Sequence, residues 1–460
     1  MTTTIRIGLT CIWVAFVANT VSAQSTLPLP SVAVAPTNVL LPNYTGVPIG
    51  EIGGLEVGAF LARANDSSAA FYNPAGLTRA QQTSLSGTAG LFQFGTVSGD
   101  RPGESGHSFQ QLPAMFAFVL KDFLGRDNLA AGLSIARTTA WQQSVDFART
   151  TQTGTATDRL SYSSQAQLDS YLGSAGFGYA GSGKWRTGLS VDGQYTSSER
   201  RQAVADQYRT ATGLTALSVN ARSEASLIHL RLTAGTQYQL TPSWVAAAVI
   251  RTGGVTIYSS GLAMLEGLSD SGTTTTTGSF FDGGPDVTYR VPFEVKTGLA
   301  YTSKRGEAEF DLLWFDGAGE YQAYASSQPV IVVVDPGTGS SPSVTNYTAR
   351  PPVIDSNAVV NVAIGGHFNL ASDRSWVVHG GFGTDRSPVG PHDTVFTKVN
   401  LNKFTAGVSA RTTRFLGSIG AQYLAGTSDP IVLRDLPAGQ LTTAVKVRSL
   451  GLLYSLSVLF

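Results

Sequence analysis

Five histidines, His107, His229, His367, His379 and His392, are the side chains whose type suits acid–base or metal chemistry at neutral pH. No two of them stand at helical or metal-ligand spacing, and no serine motif accompanies them. A hydrolase needs a nucleophile, a base and an orienting group within hydrogen-bond reach, and the linear order supplies no such set. The single cysteine, Cys11, falls in an apolar N-terminal run, so the rest of the chain has no thiolate, disulfide or cysteine metal site. These residues point to no metal and no cofactor, and away from an enzyme. Binding of a small molecule is the chemistry that remains.

Two groups of residues suit binding. Arg231 and Lys296 occupy polar phases of strand-like stretches, where either cation would hold a carboxylate ligand. The short turn Ser303–Gly306 brings Lys296 diagonally beside Asp311, with Glu294 and Glu309 in the same phase, and opposite-charge pairs of that kind ordinarily stabilise a barrel interior. The second group is apolar. Leu262, Met264, Leu265 and Leu268 lie in Gly261–Leu268, an apolar stretch in a polar loop, and form a candidate capture groove; packing against another loop is the other reading. Phe109, Leu112, Met115, Leu214 and Leu217 are further apolar residues in or beside long loops.

One more motif stands apart from the strands. In FYNPAGLTRA, Asn73 suits a helix N-cap and Pro74 the first helical position, where its missing N–H costs nothing. A short helix is therefore expected from Pro74 to about Gln81, followed by the first strand.

The elements that must position these residues read as β-strands. Ile228, Leu230, Leu232, Ala234 and Tyr238 alternate with His229, Arg231, Thr233 and Gln237; Phe310, Leu312 and Trp314 alternate with Glu309 and Asp311. Val360, Val362, Ile364 and Phe368 do the same with Asn361, His367 and Asn369. Fourteen such segments are expected, near 83–97, 112–121, 128–140, 169–180, 184–196, 225–240, 243–258, 288–302, 306–316, 358–370, 375–385, 402–411, 414–424 and 445–460. Short turns alternate with long loops, as in outer-membrane barrels. Trp185, Trp244, Trp376 and Phe415 each follow a short turn on the apolar face, and Phe460 ends the chain, which describes an interfacial aromatic girdle. Charged residues are only 13% and the formal net charge is zero, which argues against a nucleic-acid partner or a polybasic membrane surface. No stretch after the N-terminus reaches the roughly 20 apolar residues of a membrane helix.

The expected organisation is thus all-β: a 14-stranded antiparallel transmembrane β-barrel over residues 82–460, with an N-terminal hatch plugging the lumen at 46–81. Residues 1–23, with Arg6, the apolar Ile7–Ala18 and Val21-Ser22-Ala23, read as a signal peptide, and 24–45 as a proline-containing extension.

The run GAFLARANDSSAAFYNPAGLTRA resembles the signature of FadL-type outer-membrane transporters of long-chain fatty acids and other hydrophobic compounds. Asp66, Ser67, Asn73, Pro74, Ala75, Gly76 and Leu77 carry the match, and Thr384–Val389 resembles the family's Asp-x-Ser-Pro-Val segment. The resemblance implies a monomeric barrel closed by a hatch in the bacterial outer membrane, surrounded by lipid, with a hydrophobic small molecule as substrate. It implies capture among extracellular loops, hatch movement and lateral exit at a kinked third strand, for which Gly132 is the candidate. The extension 24–45 and the insertion Tyr321–Pro352 depart from the family pattern. An open diffusion porin and an outer-membrane lipid hydrolase are the alternatives; the porin requires an unplugged lumen.

Overall fold

Strand alternation places one apolar surface outside and one polar surface inside, and the ladder closes on itself. The computed structural model describes residues 40–46, 49–98, 105–110, 115–181, 183–209, 211, 213–337, 339–349, 351–370, 375–393, 395–428, 431–436 and 439–460. The expected signal peptide, most of the extension and Leu112 lie outside the described residues. Fourteen antiparallel wall strands follow one another: β1 (Ser84–Ser98), β2 (Ser105–Gln110 and Met115–Lys121), β3 (Leu129–Thr153), β4 (Ala156–Ala180), β5 (Trp185–Arg209), β6 (Leu214–Thr241), β7 (Trp244–Arg251 and Val255–Asp270), β8 (Thr275–Asp282 and Glu294–Thr302), β9 (Gly306–Phe315 and Pro329–Asp335), β10 (Ser343–Thr348 and Val359–Asn369), β11 (Trp376–Asp385), β12 (Val399–Arg411), β13 (Phe415–Ser428) and β14 (Lys446–Leu459). Each pairs with its neighbours in sequence, and β14 pairs with β1 from Ser84↔Leu459 to Ser98↔Lys446, which closes the barrel and leaves no free edge there.

Leu189, Leu232, Phe310, Ile364 and Leu452 are exposed on the outer wall, whereas Asp192, Thr233, Gln237, Asp311, Asn361 and Gln422 are buried inside. A wall that presents leucine and phenylalanine outward and hides carboxylates is built for lipid, not water. The girdle residues Trp185, Trp244, Trp376, Phe415 and Phe460 are all outward and exposed. Trp185 packs on Tyr238 across the β5–β6 ladder with ring centroids 4.5 Å apart, and Trp244 on Tyr301 at 5.0 Å.

Several strands exceed the expected lengths, β3 to β6 the most. β3, β4 and β5 have 25 residues each and β6 has 28, against the roughly 9–11 that a bilayer requires. The polar stretches expected as loops continue the ladder beyond the lipid belt, where both faces tolerate Ser, Thr and Gln and no apolar alternation is needed. The insertion Tyr321–Pro352 likewise contains a hairpin, Pro329–Asp335 with Ser343–Thr348. Its Val330 and Val332 pack on Val219, Leu265 and Phe280.

Residues 288–293, expected within a strand, leave the wall. Pro292 has no N–H for the ladder. Here Gly254 donates to the Val291 carbonyl (3.1 Å), and the His229 ring reaches the Tyr289 carbonyl (2.9 Å).

The lumen is occupied by residues 49–80, which form short turns rather than strands: a 3-10 turn Gly53–Glu56, an α-helical turn Ala69–Tyr72 and a 3-10 helix Pro74–Arg79. Ile49, Phe60, Leu61 and Leu77 bury themselves against Met115, Val119, Val245 and Val249 of the wall.

Candidate functional site

The motif Asn73-Pro74-Ala75-Gly76 sits wholly buried where the lumenal segment meets β5 and β6. The Asn73 Oδ1 accepts the Ala75 N–H (3.1 Å), so the residue is the helix cap; its amide also donates to the carbonyls of Leu61 (3.0 Å) and Thr236 (3.2 Å). One side chain therefore caps a helix, folds the segment on itself and ties it to the wall. The helix is 3-10 and ends at Arg79, two residues short of the expected Gln81. Two wall glycines accept this motif by close approach. A Cβ on Gly188 would lie 2.3 Å from the Pro74 carbonyl carbon, and one on Gly235 2.1 Å from Asn73 Oδ1.

Gly132 serves the same contact, and the register shift of β3 does not fall on it. It pairs with Val119 on one side and Gly176 on the other without a register change, and the shift lies instead between Arg137 and Thr139. A Cβ at this position would lie 2.5 Å from Leu77 Cδ2, so the glycine leaves room for the lumenal helix.

Further along the segment a charged clasp joins it to β9, β10 and β11. Arg63 bonds Glu309 through Nε (2.9 Å), pairs with Glu56 through Nη2 and donates to the Ala59 carbonyl (2.7 Å). Glu309 also accepts the backbone N–H groups of Ala62 (2.6 Å) and Arg63 (3.1 Å), and Asp311 accepts that of Phe60 (3.1 Å). The free Glu56 oxygen, Oε1, receives His379 Nδ1 (2.7 Å) and His367 Nδ1 (3.0 Å). Burial alone would raise the Glu56 pKa, but Arg63 and the two histidines outweigh it and hold the carboxyl down at about 2.

His379 Nε2 lies 2.8 Å from Ser409 Oγ, which gives Ser409, His379 and Glu56 the spacing of a nucleophile, base and orienting acid. Sequence reading found no such set because its members come from three distant elements. Ser409 lines neither of the two cavities described next.

Those two cavities adjoin each other above the lumenal segment. The outer one, about 140 Å³, is lined by Leu40, Leu168, Leu227, Leu265, Phe280 and Phe396. The inner one, about 130 Å³, lies between Tyr44, Phe71, Leu172 and Phe315, with Arg231, Glu294 and Lys296 on its polar side. Leu168, Thr196 and Tyr289 border both. The expected groove residues are divided. Gly261–Leu268 is part of β7 and not a loop, so alternation buries Leu265 beside Ala263, whereas Leu262 and Met264 border the cavity from neighbouring positions and Leu268 is exposed and does not line it.

Arg231 and Lys296 do reach one place. Arg231 bonds Glu294 (2.7 Å), the Pro292 carbonyl (2.8 Å) and the Thr252 carbonyl (3.0 Å), and Lys296 bonds the other Glu294 oxygen (2.7 Å). The expected Lys296–Asp311 pair does not form: Lys296 turns to Glu294, and Asp311 accepts the Phe60 N–H. Arg251, which the sequence did not single out, adds a third cation beside Glu294 (3.5 Å) and Asp192 (3.3 Å).

The fold and its filled lumen define a transmembrane β-barrel with an internal segment packed across the pore. No family model matches the chain and no curated protein matches it in sequence. Solved structures do. A FadL homologue of Pseudomonas aeruginosa superposes with a TM-score of 0.55 at 13% identity, over 92% of this chain and 99% of that one. The toluene transporter TodX of Pseudomonas putida gives 0.59 at 14% identity, over 90% and 99%. The toluene transporter TbuX of Ralstonia pickettii gives 0.52 at 14%, over 91% and 100%. The chain thus has the fold of the FadL-type transporters.

Proposed function

We propose that the protein carries hydrophobic small molecules, long-chain fatty acids or aromatic and aliphatic hydrocarbons, across a bacterial outer membrane. The observation that carries this reading is the pair of adjoining cavities above a lumen filled by residues 49–80. A hydrophobic solute gains about 25 cal/mol for each Å² it removes from water, a gain that an apolar pocket supplies and a water-filled pore does not. An apolar cavity of roughly 150 Å³ holds benzene, so each chamber matches a single aromatic ring. In this reading Leu265 and Phe280 receive the solute, it passes Leu168 and Tyr289 to the inner chamber, and residues 46–81 act as a hatch that moves to release it. Three cations face two carboxylates beside the inner chamber, Arg231, Arg251 and Lys296 against Glu294 and Asp192, a balance suited to a carboxylate ligand. Lateral exit, a monomeric state and an N-terminal signal peptide belong to the same proposal. The protein is a transporter and not an enzyme in this account, needs no cofactor for passage and has no nucleic-acid partner.

Planar-bilayer conductance and tryptophan quenching test it together. Trp141 packs with Leu40 and Leu168, two residues of the outer chamber, and reports occupancy there. Silent bilayers, saturable quenching by oleate or toluene, and conductance that appears only when residues 46–81 are deleted are expected. Steady conductance of the intact protein without a ligand response would replace this reading with the diffusion porin.

A further inference from the structure

The clasp around Glu56 holds three metal-type donors with no metal role assigned to them. His367 on β10 and His379 on β11 are direct cross-strand partners, so both rings project from one level of the inner wall. Glu56, at the end of the 3-10 turn Gly53–Glu56, enters between them from the lumenal segment. One donor atom of each lies within 4.8 Å of the other two, and Glu56 and His379 are almost fully buried.

We propose that Glu56, His367 and His379 bind a divalent transition-metal ion of the zinc type, which staples the lumenal segment to β10 and β11. Two imidazoles and a carboxylate are a donor set for zinc and its neighbours in the first row. Donors bound at about 2.0–2.1 Å in a tetrahedron sit about 3.3 Å apart. The Nδ1 atoms already stand 2.7 and 3.0 Å from Glu56 Oε1, so these two donor pairs have to open by only a few tenths of an ångström, and the three donor atoms all lie within 4.8 Å of one another. Ser409 at His379 Nε2 (2.8 Å) fixes the ring that presents Nδ1 inward, the outer contact that metal-bound histidines ordinarily make.

Local charge favours a second cation. Arg63 is the guanidinium that pairs with Glu56, Glu307 and Glu309, so one positive charge faces three carboxylates, with Asp311 beside them and Arg79 turned to the Ala62 carbonyl. Arg63 occupies Glu56 Oε2 and leaves Oε1 to the histidines, although its Nη1 is 3.4 Å from His367 Nδ1 and limits the affinity. The consequence for gating rests on the hatch reading above; the binding itself does not.

The test uses the full-length folded barrel, purified without a polyhistidine tag, stripped with chelator and titrated with Co²⁺. One saturable equivalent is expected, with visible ligand-field bands that Zn²⁺ abolishes. The bands should vanish in the double variant His367→Ala/His379→Ala. Ser409→Ala keeps all three ligands and should weaken binding about tenfold or more. Absence of saturable binding, or binding unchanged in the double variant, overturns the proposal. Transport of toluene by the same preparations reports separately on the hatch reading.

Discussion

Replacing Asn73 with alanine removes three buried hydrogen bonds at once: the cap to Ala75 and the two amide bonds to the Leu61 and Thr236 carbonyls. Each such bond contributes about 1 kcal/mol net, and the carbonyls left behind are buried without their partner, so docking of the lumenal segment should weaken by about 3 kcal/mol. At 1.4 kcal/mol per factor of ten, the undocked population rises roughly 100-fold. Amide hydrogen exchange reads this directly. Ala75, Gly76 and Leu77 should lose protection by that factor, while the β7–β8 ladder from Val245 to Ile250 stays protected as the internal control. Asn73→Asp separates capping from docking: it keeps the acceptor for Ala75 but points a carboxylate at two carbonyl oxygens, so it should be at least as damaging as alanine. Exchange at Ala75–Leu77 unchanged within threefold in Asn73→Ala, or slower in Asn73→Asp, would refute the view that this side chain locks the segment to the wall.

Two further perturbations act on the same interface. Gly188→Ala drives a methyl to within 2.3 Å of the Pro74 carbonyl carbon, where backbone on both sides cannot yield, so proteolysis within residues 46–81 should accelerate while the barrel stays folded. Gly193→Ala, with nothing within 4 Å of its Cβ, is the matched neutral change, and equal cleavage of the two variants would count against the socket. Glu51 is the pH probe: burial, then the nearby Asp66, raises its pKa to about 8, and Ser86 donates a hydrogen bond to it. The docked state therefore holds a proton that the undocked state releases above its ordinary pKa of 4.5. Docking is strongest below that value and weakens as pH rises toward 8. Amide hydrogen exchange of residues 49–80 should accelerate over that window in wild type. In Glu51→Gln the acceleration should be confined to below about pH 6, where Asp66, also raised by burial, still titrates. An identical pH profile in both proteins would exclude Glu51 as the source.

The alternation of Ile228 through Tyr238 and of Phe310 through Trp314, the aromatic residues Trp185, Trp244, Trp376 and Phe415 after short turns and the small-residue run before the first strand were legible in the chain because each is a local pattern. Period-two alternation against lipid leaves few alternatives, which fixes face, register and strand number. Asn73 as a helix cap was equally legible, since capping involves only the next few residues. Strand ends were not: beyond the lipid belt water covers both faces, and the lengths of β3 to β6 follow from neighbour pairing instead of side-chain pattern.

Contacts between distant elements required the folded chain. Glu56, Arg63, His367, His379 and Ser409 meet only because a lumenal segment crosses a closed barrel, although one signal was available: His367 and His379 stand equidistant from the centre of the turn Ala371–Ser375, which makes them cross-strand partners. For Gly132 the chain alone leaves a bulge, close approach and interior filling open, and only the folded chain shows the close approach of Leu77, a residue of another element. Lys296 and Asp311 lie on the face that register assigns them, but their pair does not form, because Lys296 bonds Glu294 instead. The sequence alone determined the barrel, since strand periodicity is encoded residue by residue. Which buried charge meets which partner was decided by tertiary structure, because a lumen brings together side chains hundreds of residues apart and their pairing depends on what else competes for the same few ångströms.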